Sequence, residues 1–334
     1  MNEDSLKFIT VSRNSGEAYK VPYWELNSGR PGPAVLITAA MHGNEIQSPE
    51  IIRRFREIAT GKLIAGSCIL IPFCNPVAVH GRHAHIDFEV GRYYGRDQIN
   101  NLNCSWPGDP NGSDTQRLSY ALFNTAVQKA THCIDLHCWQ SMMATTVLPH
   151  HDNPVSMGMA TATRLPFMKY NTNRKTKTRP EYPCILTEYF NDSGHPALAI
   201  EFSGQFLTHH HELENGTMAL LNIFKSLKMM AGEPEGETKR PIIINAQQQI
   251  NVSAPVNGLF VKSKCRLGGK VQKGESLGHV FSDTDITRHE ILSPAAGWLF
   301  RYGRQEDSSR VADPLTAYHV YASAGETVVT IIIE

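Results

Sequence analysis

The chain has 334 residues, enough to bury a sizeable core and to form two domains. Lys plus Arg and Asp plus Glu both number 32, with a pI near 7.2, so no global field would hold nucleic acid or an acidic membrane. The seven cysteines are an odd set without CxxC, the N-terminus has neither a basic start nor an apolar run, and nowhere do about 18 apolar residues follow one another, which together predict a soluble cytoplasmic protein in a reducing compartment.

Residues 34–40, Ala-Val-Leu-Ile-Thr-Ala-Ala, form a short continuous apolar run, the pattern of a strand buried on both faces, and lead straight into Met41-His42-Gly43-Asn44-Glu45. A helix follows, with apolar residues at 51, 52, 55, 58 and 59 repeating at helical spacing. Residues 68–73 predict the next buried strand, 115–129 a helix with Leu118, Leu122 and Ala126 on one face, and 132–137 a third apolar strand ending in polar residues. This alternation predicts an α/β fold: a mostly parallel or mixed sheet flanked by helices, with ligands gathering outside the carboxyl ends of the strands. After a polar excursion over 150–193 come a further strand at 197–203 and a helix over roughly 210–230.

The segment 231–238 is rich in glycine, proline and charge, which places a boundary near 235 and divides the chain into 1–235 and 236–334. Beyond it, short strands such as 258–261 and 297–300 alternate with Gly-rich turns, the pattern of a small all-β domain.

His42 and Glu45 stand three residues apart on a strand-to-helix turn, and His137 lies at the end of another buried strand. Two His and one Glu with an open position is the donor set of a catalytic zinc site. H-x-x-E alone is common by chance and can merely cap a loop; the position of both His at strand ends weighs towards metal. Asp135 shares the strand face of His137, either as a partner that orients it or as a core-edge carboxylate. Glu201 is a carboxylate inside an apolar strand, costly to bury unless paired or used. It reads as the general base of a zinc site or as one half of a structural ion pair.

Met41-His-Gly-Asn-Glu45, Asn75-Pro76, Asn101-Leu-Asn-Cys-Ser-Trp-Pro-Gly-Asp109, Ile134-Asp-Leu-His137 and Ala199-Ile-Glu-Phe202 follow one another in an order that resembles the succinylglutamate desuccinylase and aspartoacylase family, relatives of the zinc carboxypeptidases. Pro255-Val-Asn-Gly-Leu-Phe260 and Lys273-Gly-Glu-Ser-Leu-Gly278 are similar to that family's β domain. The resemblance implies a carboxypeptidase-like fold, one zinc ion on His42, Glu45 and His137, Glu201 as base, and hydrolysis of the amide bond of a small N-acyl amino acid or related compound. It also implies an arginine that polarises the scissile carbonyl, for which Arg92 and Arg96 are the candidates. One departure bears on substrate. The family's asparagine-arginine pair, which grips a substrate carboxylate, is Asn103-Cys104 in this chain, and a thiol cannot replace a guanidinium fork. Arg164, Arg174, Lys175 or Arg179 could supply a substitute charge or simply line a solvated loop. A zinc carboxypeptidase acting on a short peptide and a catalytically inactive binding module are the competing readings. The role of the β domain, as a cover over the site or as a surface for homo-oligomer assembly, stays open.

Overall fold

A computed structural model of the chain describes residues 6–87, 100–139, 142–171, 184–238, 240–303 and 319–333. Ten strands, β1 (Lys7–Ser12), β2 (Ala18–Asn27), β3 (Ala34–Ala39), β4 (Ser67–Ile71), β5 (His132–Cys138), β6 (Met142–Met143), β7 (Thr146–Pro149), β8 (Phe167–Met168), β9 (Ala197–Phe202) and β10 (Ile242–Ile243), come first. All but β6 join one nine-stranded sheet in the order β1-β2-β4-β3-β5-β9-β7-β8-β10. Its centre, β4-β3-β5-β9, is parallel, while β2 pairs antiparallel with β4 and β7 with β9. These four central strands are the apolar runs of the sequence, continuous because both of their faces are covered.

Helices α1 (Ser48–Ala59), α2 (Pro76–Gly81), α3 (Asp114–Thr125), α4 (Pro154–Ala162), α5 (Leu186–Asp192) and α6 (His210–Ser226) connect the strands. Side chains alternate along each strand, so Ile134, Leu136 and Cys138 of β5 pack on one face with Ile51 and Phe55 of α1 and Leu220 and Phe224 of α6. On the other face Cys133 packs with Leu118 and Leu122 of α3 and Leu186 and Phe190 of α5. Asp135 and His137 share that second face by parity.

The helix expected over 115–129 is interrupted. Helix α3 ends at Thr125, Ala126 turns out of helical geometry, and a 3-10 turn at Val127–Lys129 completes the segment. Helix α6 ends at Ser226, short of 230. The excursion over 150–193 contains α4, β8 and α5, elements too short to show a period.

The C-terminal strands are β11 (Gln249–Ser253), β12 (Gly258–Lys262), β13 (Lys270–Val271), β14 (Ser276–Ser282), β15 (Arg288–Leu292), β16 (Gly297–Tyr302), β17 (Tyr321–Ala322) and β18 (Thr327–Ile332). They form two antiparallel sheets, β11-β18-β16-β13 and β15-β14-β12-β17, around a core that includes Phe260, Leu277, Val280, Leu299 and Ile331. Two short strands cross between the parts of the chain. Strand β6 pairs with β16, and β10, beyond residue 235, adds to β8 of the nine-stranded sheet. Ala144, Phe167, Ile244, Phe300 and Ile332 close an apolar junction there. Among the described residues no helix is long and apolar enough to cross a membrane.

Candidate metal centre

The turn after β3 is built by backbone constraints. Ala40 adopts a left-handed conformation at φ 49°, and the Asn75 amide and side chain donate to Ala40 O and Met41 O. A Cβ on Gly43 would stand 2.2 Å from Ala78 C and 2.4 Å from Ala78 O, so no other residue fits the second position of His42-Gly43-Asn44-Glu45 against α2. Glu45 N donates to His42 O at 3.1 Å, which closes the turn and sets the two side chains on one side.

His42 Nδ1 lies 2.8 Å from Glu45 Oε1, and His137 Nδ1 lies 2.9 Å from Glu45 Oε2. One donor atom from each of the three residues falls within 4.8 Å of the others. The outer ring nitrogens are committed elsewhere: His42 Nε2 sits 2.9 Å from Asn101 Oδ1, and His137 Nε2 sits 2.8 Å from Asp135 Oδ2. Thr38, opposite Asp135 in the sheet, donates its hydroxyl to Asp135 Oδ1 at 2.8 Å. Both imidazoles thus present Nδ1 inward, with Nε2–H held by an oxygen behind it, the arrangement that fixes the tautomer of metal-binding histidines. The donor set, two imidazoles and one carboxylate, fits a divalent ion with zinc chemistry. Weakening the support for one ring gives a direct test: Asp135→Asn is expected to lower zinc affinity about 10–100-fold, measured by competition with a chromogenic chelator.

Electrostatics agree with the geometry. Burial pushes the Glu45 carboxyl up, but the His42 and His137 rings outweigh it and hold the group down at about 2. Burial likewise works against charge on His137, and Asp135 and Glu45 override it, raising that ring well above its ordinary value. His85 stacks edge-on against His42 with ring centroids 5.6 Å apart; burial, aided by the His42 charge, depresses it to about 3. It is a neutral wall of the site.

Glu201 is the register partner of His137 across β5 and β9, so its side chain shares the face that carries His137 and Asp135. Among the described residues its carboxylate makes no hydrogen bond or ion pair. Burial first, with Glu45 and Asp135 adding, raises it to about 7 against the opposing pull of His137 and His42.

Asn103 Nδ2 lies 3.2 Å from His137 Nε2 without donating to it, since that nitrogen carries the proton given to Asp135, and Asn103 Oδ1 accepts from Leu186 N at 3.3 Å. Cys104 is buried in the same 3-10 turn, Leu102–Cys104. Arg164 follows α4 with its stem beside Gly236. Arg92, Arg96, Arg174, Lys175 and Arg179 lie outside the described residues.

Two contributors to the site escape a reading of the sequence. Asn101 backs His42, though it stands inside the quoted Asn101-to-Asp109 segment. Gln205 donates to Glu45 Oε1 at 3.4 Å and Cys138 O at 3.3 Å, and accepts from Asn44 Nδ2 at 2.8 Å. Its place just past the carboxyl end of β9, where such sheets collect functional residues, is the signal that points to it.

Residues 31–227, well over half of the chain, match the model of the succinylglutamate desuccinylase/aspartoacylase catalytic domain. The chain belongs to this family. Members of the family are hydrolases, deacylases that act on amide bonds. A curated relative, the N-alpha-acetyl-L-2,4-diaminobutyric acid deacetylase of Halomonas elongata, is 27% identical over 129 residues, which cover 39% of this chain and 35% of the relative. The chain therefore matches only about a third of that relative's length. Among solved structures, a succinylglutamate desuccinylase/aspartoacylase from Rhodobacter sphaeroides superposes with a TM-score of 0.71 at 19% identity, over 100% of this chain and 96% of the other. An aspartoacylase family protein from Mesorhizobium loti gives 0.70 at 19% over the same shares. The product-bound ectoine utilization protein EutE (DoeB) from Ruegeria pomeroyi gives 0.70 at 17%, over 100% and 99%. At these identities the likeness speaks for the fold, which in this family takes in the C-terminal sheets as well.

Proposed function

We propose that the chain is a zinc-dependent deacylase that hydrolyses the amide bond of a small N-acyl amino acid or related N-acyl compound. The observation that carries this reading is the convergence of His42 Nδ1 and His137 Nδ1 on the two oxygens of Glu45, with both outer ring nitrogens already engaged. When bound, zinc supplies a Lewis acid that polarises a carbonyl and brings the pKa of an attacking water to about 7. Glu201 takes the proton of that water and passes it to the departing amine. Among the described residues no ion-pair partner engages its oxygens, and burial raises its carboxyl above the ordinary carboxylate range, which suits a group that must accept and then release a proton. Asp135, Asn101 and Gln205 hold the three ligands in place, while His85 packs beside His42 without charge.

The acyl group and amine follow from weaker signals. The Halomonas relative's name makes N-acetyl amino acids the first class to try. Cys104 offers no positive charge to a substrate carboxylate at the Asn103-Cys104 turn, so that contact, if made, comes from elsewhere. The test is a screen of N-acetyl and N-succinyl amino acids, each with its carboxamide counterpart, against the zinc-loaded protein. Release of free amine that stops on chelation and returns with zinc is the expected result. Hydrolysis of short peptides at their C-terminus, with no N-acyl compound cleaved, would replace this reading with a carboxypeptidase.

A further inference from the structure

A buried indole N–H ordinarily finds an acceptor, because a donor left unsatisfied has given up its hydration for nothing. Trp139 departs from this. Its Nε1 is shut away from solvent with no hydrogen-bond partner, although the residue as a whole is only half-buried. Among the described residues its ring joins none of the four apolar cores. A large flat side chain that packs in no core and keeps an idle donor has the make-up of a ligand-pocket wall, where an aromatic surface carries one placed polar group.

Hydrogen bonds put this residue beside the metal centre. Cys138 O accepts from Gln205 Nε2 at 3.3 Å, and the same nitrogen lies 3.4 Å from Glu45 Oε1. A single side-chain nitrogen thus bridges a metal ligand and the peptide that leads into Trp139. The opposite edge of that peptide is fixed as well, since Trp139 N donates at 2.9 Å to the carbonyl of Phe202, the residue that follows Glu201. That bond holds the chain in the β5-β9 ladder as far as Trp139, so side chains still alternate there. Cys138 turns into the core against α1 and α6, which sends Trp139 to the side that carries His137, Asp135 and Glu201. The indole stands two residues from His137 at the carboxyl ends of the central strands, where an open α/β sheet receives its ligand.

We propose that Trp139 is a specificity residue whose Nε1–H donates to an oxygen of the substrate's carboxyl group, free or amidated, while the scissile amide lies at the metal centre. The identity of the ligand rests on the deacylase reading, whereas the idle indole donor does not. In a small N-acetyl amino acid the carboxyl oxygens are the acceptors that remain once the acyl oxygen is at the metal centre. A neutral N–H serves a carboxylate or a carboxamide oxygen, so this contact does not need the guanidinium that Cys104 fails to supply. The full zinc-loaded chain, isotope-labelled in its indole nitrogens, is titrated with N-acetyl-L-alanine, with N-acetyl-L-alanine amide and with N-ethylacetamide, which lacks the carboxyl oxygens. The Trp139 indole resonance, identified by its absence from Trp139→Phe, is expected to move downfield with the first two compounds and to stay in place with the third. Trp139→Phe keeps an aromatic ring without the donor and should bind the two alanine derivatives about 5–100-fold more weakly, with N-ethylacetamide unaffected. Trp139→Tyr, which carries an O–H at the edge of its ring, should fall between, and both variants should keep the native zinc content. An indole resonance that neither alanine derivative moves, native affinity in Trp139→Phe, or loss of zinc from that variant, which would mark a structural role, would each overturn the assignment. Turnover is read separately. An indole shift without amide cleavage keeps the Trp139 contact and removes the deacylase reading, and cleavage with an unmoved indole does the reverse.

Discussion

The Glu201→Gln protein is expected to keep its zinc and to lose about 10²–10⁴-fold in kcat, the range set by removing a positioned general base. Gln preserves the shape of the side chain and removes only its capacity to accept a proton. The three donors that converge are His42, Glu45 and His137, so metal content should be unchanged. The pH profile supplies the second readout. Glu201 must be ionised to accept the proton, and in the protein without metal burial raises it from 4.5 to about 7. A cation beside it favours the charged form and draws that value down. The acid limb of kcat/KM should therefore inflect between 4.5 and about 7, with activity lost as pH falls through it. In Glu201→Gln that limb should vanish. Full activity in the variant, measured beside its zinc content, would remove Glu201 from the reaction.

The four central strands could be read from the sequence because a parallel strand covered on both sides is a continuous apolar run, and His42, His137 and Glu201 announce themselves as polar residues at or near the ends of such runs. Gly43 is legible as part of a motif, but its reason, the backbone of Ala78 and Val79 at contact distance, comes from a segment more than thirty residues on. Gln205 and Asn101 act through hydrogen bonds between distant segments and carry no local period. Helix α4, Pro154-Val-Ser-Met-Gly-Met-Ala-Thr-Ala162, has no clear polar face, and α5 has only seven residues, so neither gives the alternation that marks a longer element. Strand β6 crosses to pair with β16 in a two-residue contact that no pattern foretells.

Removing the metal and removing a ligand should have different consequences, and the difference follows from how the three donors meet. In the chain itself the Glu45 oxygens lie within hydrogen-bond distance of both Nδ1 atoms, so protonated rings can satisfy the carboxylate when no ion is present. Chelation is thus expected to abolish activity and lower the melting temperature without unfolding the protein, and added zinc should restore both. The stabilisation by the ion grows with its free concentration, reaching about 2.7 kcal/mol at a hundred times Kd. His137→Ala is expected to be irreparable. It removes the ring that stands between Glu45 and Asp135, two carboxylates that are both almost fully buried, 4% and 1% exposed, leaving Asp135 without its ion-pair partner and Glu45 with His42 alone. Breaking a buried pair in this way costs about 3–5 kcal/mol. That variant should bind no zinc, hydrolyse nothing and unfold at markedly lower denaturant, with none of these recovered by excess metal. Recovery of activity on zinc addition to His137→Ala, followed by calorimetry and metal analysis, would show that this ring is not a ligand.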